Sequence, residues 1–233
     1  MLEEKAAEDY IKEVGVDDKN AYSRNFTAHQ KGISREEMTK SYSDWIMNGN
    51  YEEDLGPNRY RGPIYASQAL ANLYEDNVRP STRVLDVAAG SGFLGEKLAS
   101  LNFKNIDALD PSAAMLEKAK VKGVYTNFYC KYFDKDIDIP NDSYDALVIC
   151  GGMGEGHIPA DAVPKMIDLV KKGGHVVIVM RKEYLTYVLD YKDKLLPLFH
   201  RLEEEKKWKM ISDKEVSNYS FNKTGIVFIF SVL

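Results

Sequence analysis

The 233-residue chain reads as an α/β protein, a doubly wound and mostly parallel sheet with a helical cap at its amino-terminal end. Three observations predict this. From Thr82 onward, short apolar β-branched runs alternate with helix-like stretches, the pattern of strands covered on both faces by crossover helices. Residues 84–92, Val-Leu-Asp-Val-Ala-Ala-Gly-Ser-Gly, break from such a run into a tight turn ahead of a helical stretch. The chain closes on Gly225-Ile-Val-Phe-Ile-Phe-Ser-Val-Leu233, with no helix between it and a strand expected at 208–219. Two late strands joined this way imply an antiparallel strand in an otherwise parallel sheet.

The elements follow in order. Residues 1–33 are polar and poorly periodic, broken at Gly15 and Gly32, and are expected to form a loose arm with a short helix near 4–14. Ser34-Arg-Glu-Glu37 is a capping box. It opens a helix that carries Met38, Tyr42, Trp45 and Ile46 at helical spacing. Residues 49–62 hold Gly49, Gly56, Pro57 and Gly62 and read as a loop. Pro63 then suits the first turn of a helix reaching Tyr74. Residues 34–79 would be the cap and 80–233 the core of one domain.

In the core, strand 82–88 leads to helix 92–101, and strand 105–109 leads to helix 112–120 through Asp110-Pro-Ser. Strands follow at 124–130 and 144–150, then a helix at 159–170. Lys171-Lys-Gly-Gly174 reads as a helix end with cations and a glycine stop, ahead of strand 174–180. Residues 183–206 read as a helix interrupted at Pro197.

Composition narrows the function classes. No apolar run reaches membrane-span length, and the amino terminus is charged rather than signal-like. Cys130 and Cys150 lie in strand-like runs, which fits a reduced, cytoplasmic compartment. His29, His157, His175 and His200 are scattered without metal-ligand spacing, so no metal is expected. Net charge is −5, with lysines interleaved among acids. That argues against a nucleic-acid partner and favours a small molecule.

The residues at the strand ends carry the chemistry. Gly90 and Gly92 let backbone approach a ligand closely. Asp86 lies at the carboxyl end of its strand, where open α/β sheets bind ligands. Asp110 closes the next strand. Its two oxygens can accept from both hydroxyls of a ribose, at about 1.5–3 kcal/mol per bond to a charged group. The turn is read as neither a dinucleotide fingerprint nor a phosphate loop, so a nicotinamide-dependent oxidoreductase is disfavoured.

Over about residues 34–233 the chain resembles the class I S-adenosylmethionine-dependent methyltransferases, with the specific motifs between 84 and 182. Asp86-x-Ala88-x-Gly90-x-Gly92 carries alanine where that family usually has glycine. Tyr144-Asp-Ala-Leu-Val-Ile-Cys150-Gly151-Gly152 matches the family's fourth strand, and Pro164–Gly174 the helix and turn before its fifth. A closer resemblance is to the Williams–Beuren-region methyltransferase-like proteins. It is carried by Tyr42-x-x-Trp45, Tyr51-x-x-Asp54, Tyr60-x-x-Pro63, Asp110-Pro111-Ser112 and Cys150-Gly-Gly-Met-x-x-Gly-His-Ile-Pro159.

Carried by those residues, the resemblance implies a Rossmann-like, seven-stranded sheet in the order 3-2-1-4-5-7-6. It implies S-adenosylmethionine as cofactor, S-adenosylhomocysteine as product and no metal. The expected cofactor-binding residues are Tyr42, Tyr60, Asp86, Ala88, Gly90, Gly92, Asp110, Pro111, Met115, Lys131, Tyr132, Cys150 and Gly151. Among them Asp110 would hold the ribose, and Tyr129–Asp134 would form the adenine-contacting loop, without the common Gly-Asp pair. Tyr42, Trp45, Tyr51 and Tyr60 are divided between core packing and aromatic contact with a sulfonium, worth about 0.5–2 kcal/mol each. His157 and Glu155, after the fourth strand, are the candidates for a catalytic base. The expected reaction is methyl transfer to a small-molecule N, O or S nucleophile. The alternatives are a non-catalytic S-adenosylmethionine-binding module and a protein or peptide methyltransferase.

Overall fold

The computed structural model describes residues 16–233, so the short helix expected near 4–14 lies outside the described residues. Seven strands form one sheet in the order β3-β2-β1-β4-β5-β7-β6. They are β1 (Arg83–Val87), β2 (Asn105–Leu109), β3 (Asn127–Tyr129), β4 (Tyr144–Cys150), β5 (Val170–Arg181), β6 (Trp208–Ser220) and β7 (Lys223–Val232). The first five run parallel, with Val84 beside both Ile106 and Ala146. β7 is antiparallel to β5 and to β6. The expected fold class and strand order are therefore those observed.

Side-chain alternation along the strands builds two apolar layers. Val84, Ala146, Val148, Val177 and Val179 pack beneath two helices, α4 (Gly62–Ala71) and α5 (Phe93–Ser100), through Ala66, Leu70, Leu94 and Leu98. Leu85, Val87, Leu147, Ile149 and Ile178 fill the opposite layer. There they meet Met166 of α7 (Val163–Leu169) and Phe199 of α9 (Leu195–Glu204), beside the stacked Trp208 and Phe230. The remaining core helix, α6 (Ala113–Val121), packs Leu116 near Ala89 and Ala108. Among the described residues, no helix is long and apolar enough to cross a membrane.

The cap comprises α1 (Val16–Thr27), α2 (Arg35–Met47) and the single turn α3 (Tyr51–Asp54). The capping box forms as expected, Ser34 and Glu37 each bonding the other's backbone. Asp54 ties the three helices together. Its buried carboxylate accepts from Arg24 of α1, Nη2 to Oδ1 2.7 Å, and from Trp45 of α2, Nε1 to Oδ2 2.7 Å.

Several elements depart from the sequence reading. Residues 16–27 are helical rather than a loose arm, because Ala21 and Tyr22 are buried against Trp45, Ile46 and Phe221. Residues 49–62 are not all loop, since α3 interrupts them. β3 spans three residues instead of the expected 124–130. The run Lys171–Gly174 lies within β5 as an irregular bulge, with Gly173 at φ +78°, and not at the end of a helix. Val170 already has β geometry, is buried, and pairs with Tyr144 across a bulge. Residues 183–206 split into α8 (Tyr184–Tyr187) and α9, and the break falls at 188–194 rather than at Pro197. Pro197 sits in the first turn of α9, where proline is tolerated. The break lets buried Tyr191 reach the loop after β4, its hydroxyl accepting from Gly154 N (3.0 Å) and donating to Ile158 O (2.6 Å).

Candidate active site

A cleft of about 940 Å³, its open mouth included, lies at the carboxyl ends of β1 and β4. That is where the strand order reverses, the place where open α/β sheets take ligands. α1, α2 and the end of β6 add cap and hairpin walls.

One half of the cleft is built on the first two strand ends. Asp110 is buried there, with Oδ2 accepting from Gly90 N and Oδ1 from Ser112 N, each at 2.9 Å. Gly90 adopts φ +56°, which turns its N–H toward that carboxylate. Burial pushes the Asp110 carboxyl up to about 6, against the pull of the two backbone donors. Ala88, Pro111, Met115, Tyr132 and Phe133 line this half. Tyr132 is held to α2 by Thr39 Oγ1, which donates to its hydroxyl at 3.1 Å.

Cys150, Gly151 and Tyr60 join the two halves. The Tyr60 hydroxyl lies 3.2 Å from Cys150 Sγ, and burial raises the thiol to about 12. That thiol is no nucleophile at neutral pH. Gly151 has φ +77°, and a Cβ there would stand 2.6 Å from the Tyr60 hydroxyl.

The other half gathers Asn25, His29, Tyr42, His157, Arg181, Tyr184, Tyr219 and Ser220. Two imidazoles stack with ring centroids 4.7 Å apart. His29 Nδ1 donates to Asn25 O and His157 Nδ1 to Glu155 O, each at 2.7 Å. Carbonyl oxygens only accept, so both protons sit on Nδ1 and both Nε2 atoms carry lone pairs. Burial lowers the pKa of both rings, His157 to about 4, and so keeps them neutral. The Tyr42 hydroxyl lies between the two Nε2 atoms, 3.4 Å from His29 and 3.2 Å from His157. It has one proton for two acceptors. One buried Nε2 lone pair is therefore left for a donor from outside the cluster.

Of the expected site residues, Tyr42, Tyr60, Ala88, Gly90, Asp110, Pro111, Met115, Tyr132, Cys150, Gly151 and His157 wall the cleft. Asp86, Gly92, Lys131 and Glu155 do not. Asp86 shares the sheet face of Val84 and accepts from the Tyr125 hydroxyl at 2.7 Å. Burial raises its carboxyl to about 7, the Tyr125 bond opposing. Glu155 turns its carboxylate away to Gly32 N, 3.1 Å, and reaches the site only through its carbonyl on His157. Of the four cap aromatics, Tyr42, Tyr51 and Tyr60 line the cleft while Trp45 is spent on Asp54.

His29, Arg181 and Ser220 were not singled out from the sequence. Arg181 was within reach of the rule that picked Asp86 and Asp110, a charged residue closing an apolar strand. The turn also needs correcting. Gly90-Ser-Gly92-Phe-Leu-Gly95 does have dinucleotide-fingerprint spacing. What separates this fold from the dinucleotide order 3-2-1-4-5-6 is the antiparallel β7 between β5 and β6.

The donor set fits the adenosyl cofactor. Asp110 faces the cleft with lone pairs beyond those taken by Gly90 and Ser112, as a ribose diol requires. Tyr132, Phe133 and Met115 offer aromatic and apolar walls, and Tyr42, Tyr51 and Tyr60 offer ring faces and edges for a cation.

Comparison with known proteins agrees. Residues 84–174 match a family model described as a methyltransferase domain. Methyltransferase-like protein 27 from Homo sapiens is 29% identical over 168 residues, covering 72% of this chain and 66% of that protein. The ubiquinone/menaquinone biosynthesis C-methyltransferase UbiE of Proteus mirabilis is 30% identical, covering 48% of this chain and 47% of its own. The chain thus matches less than two thirds of the length of these relatives. Among solved structures, the Burkholderia thailandensis 1,6-didemethyltoxoflavin-N1-methyltransferase superposes with a TM-score of 0.59 at 15% identity, over 87% of this chain and 92% of its own. That structural likeness speaks to the fold, and the sequence matches to the family. The family match falls on the segment from β1 through the start of β5 that supplies Asp110, Gly90 and Cys150, and together these matches support a class I S-adenosylmethionine-dependent methyltransferase.

Proposed function

We propose that the chain methylates a small, enclosed acceptor at N, O or S by in-line displacement. The observation that carries this reading is the enclosure of the second half of the cleft. His29, His157, Arg181, Tyr184, Tyr219 and Ser220 are all buried, so an acceptor there is surrounded on most sides. When bound, S-adenosylmethionine supplies a methyl group on a sulfonium, which an acceptor lone pair displaces to leave S-adenosylhomocysteine.

The chain's own residues position and exclude. Asp110 accepts from the ribose hydroxyls. Tyr42, Tyr51 and Tyr60 close over the cation and keep water out. The unpaired Nε2 of the His29–His157 pair accepts from the acceptor's O–H or N–H and so orients its lone pair. For a hydroxyl acceptor that Nε2 also takes the proton as the oxonium forms, because an oxonium is far more acidic than an imidazolium. Glu155 serves here through its carbonyl, which fixes the His157 tautomer.

Named relatives modify different atoms, carbon in the UbiE C-methyltransferase and N1 in the toxoflavin enzyme, so the acceptor atom is left to experiment. The test is calorimetry with S-adenosylhomocysteine, then incubation of the chain with methyl-labelled S-adenosylmethionine and a metabolite extract. Label in the small-molecule fraction supports the proposal. Binding without any label favours a non-catalytic module, and label in protein favours a peptide acceptor. Either result overturns the small-molecule reading, and absence of binding overturns the cofactor as well.

A further inference from the structure

Arg181 closes β5, and its guanidinium enters the acceptor half of the cleft with 7% of the side chain exposed. Arginine does not shed its proton in proteins, so this positive charge is fixed. Among the described residues its hydrogen bonds go to neutral groups. Nη2 donates to Asn25 Oδ1 at 2.7 Å and to Ser220 Oγ at 3.2 Å. The carboxylate of Glu183 stands 3.8 Å from Nη1, beyond hydrogen-bond reach. Glu183 is also drawn outward, Oε2 lying 3.6 Å from Lys223 Nζ. The Tyr184 ring makes a cation–π contact, with the guanidinium 5.7 Å from its centroid. Among the described residues this buried charge has no carboxylate within hydrogen-bond reach, Glu183 being a longer ion-pair partner, and it faces a ligand cleft.

Building on the methyl-transfer reading, we propose that Arg181 anchors an anionic group of the acceptor, which is therefore an acidic small molecule carrying a carboxylate or a phosphate. Nη1 has two N–H groups with no acceptor among the described residues within 3.5 Å, and these receive the anion. The spacing follows from Asn25. Its side chain holds Arg181 while its carbonyl holds His29, so the anion anchor and the imidazole pair sit on one residue. The acceptor is compact, its nucleophilic atom a few bonds from its charge. The sulfonium of the donor adds a second positive charge nearby and favours an anion further. Arg181 would then choose the substrate, and the imidazoles would orient the reacting atom.

The test follows the Arg181 Nε–H resonance by nitrogen-15 NMR, with and without saturating S-adenosylhomocysteine. Sodium acetate and inorganic phosphate are titrated separately against chloride at constant ionic strength. A saturable shift with either anion supports the proposal, and the responding anion identifies the headgroup. Arg181→Met should abolish the saturable response while S-adenosylhomocysteine affinity, read by calorimetry, stays within about twofold. Ser220→Asp gives the guanidinium a carboxylate of the chain's own and should weaken the anion at least about tenfold. No saturable shift with either anion overturns the inference, as does an equal response of the remaining resonances in Arg181→Met. Failure to bind S-adenosylhomocysteine would instead strike the methyl-transfer reading, so the two failures are distinguishable.

Discussion

Asp110 shows how one residue sets the pH behaviour of the site. Its folded-state pKa, pushed up to about 6 by burial, lies above the unfolded value of about 3.9. Asp86, raised to about 7 by burial, behaves alike. In the ligand-free protein the folded state therefore binds more protons between about pH 4 and 7, and stability falls as pH rises through that window. This is the reverse of an ion-paired aspartate. On the proposal that Asp110 holds the ribose, ligand binding has the opposite sign, because ribose hydroxyls need the ionised carboxylate. S-adenosylhomocysteine should bind about tenfold more weakly at pH 5 than at pH 7.5 and release protons on binding near pH 6. Calorimetry in buffers of different ionisation enthalpy checks both. Asp110→Ala should weaken binding about tenfold or more and flatten the pH dependence. The imidazoles make a separate prediction. With His157 lowered to about 4 and His29 also lowered, the turnover of the saturated enzyme should stay level from pH 8 down to about 5, while kcat/KM falls below pH 7. His157→Ala should lower kcat with little change in S-adenosylhomocysteine affinity, and an unchanged kcat would remove His157 from the mechanism.

The elements differ in how plainly they were written in the sequence. Strands β1, β2 and β4 were legible because a parallel strand buried on both faces is mostly apolar, and each carries a run of such residues despite Asp86, Asp107 and Asp145. The capping box of α2 was legible because its two hydrogen bonds are local. Helix α1 was not, since it is polar and is held by distant partners, Arg24 on Asp54 and Asn25 on Arg181. The imidazole pair was hidden for the same reason, its rings coming from residues 29 and 157. Lys171–Gly174 misled because helix-stop chemistry and the start of a bulged strand use the same residues. Asp54 carries the element-scale prediction. Asp54→Ala would strand the buried Trp45 N–H and free Arg24, at a cost of about 1–3 kcal/mol. The loss should be local. Hydrogen exchange should speed up in residues 19–55 while β1 and β4 stay protected, and a uniform loss across the sheet would refute the role of Asp54 as the tie of the cap. Ala88 tests the turn. It holds φ +58° where the methyltransferases it resembles usually have glycine, a strain of about 1–2 kcal/mol. Ala88→Gly relieves that strain but frees the unfolded chain by about 0.4–1 kcal/mol. The net gain should be about 0–1.6 kcal/mol, read as a higher denaturant midpoint at unchanged slope.

At the scale of the molecule, the cleft is a seam between two bodies of packing. Its floor is the rigid sheet, where Val87, Asp110 and Cys150 end central strands. Its roof is the cap cluster of Ala21, Tyr22, Trp45, Ile46, Tyr51 and Leu55, which meets the core at Met115 and Phe221. Polar bonds cross the seam, among them Thr39 to Tyr132, Ser43 to Ser112 at 2.8 Å and Asn25 to Arg181. A ligand that touches Asp110 on the floor and Tyr42, Tyr51 and Tyr60 on the roof adds contacts to both bodies at once. By mass action, S-adenosylhomocysteine at a hundred times its Kd should stabilise the fold by about 2.7 kcal/mol. For a chain of this size that raises the Tm by roughly 5–10 °C. The increment should be larger at pH 7.5 than at pH 5, because the ionised Asp110 binds more tightly. Hydrogen exchange separates the seam from a site confined to the sheet. With the ligand bound, protection should rise together in residues 35–60 and at the ends of β1, β2 and β4. If only the strand ends slowed, the cap would be scaffold rather than half of the site.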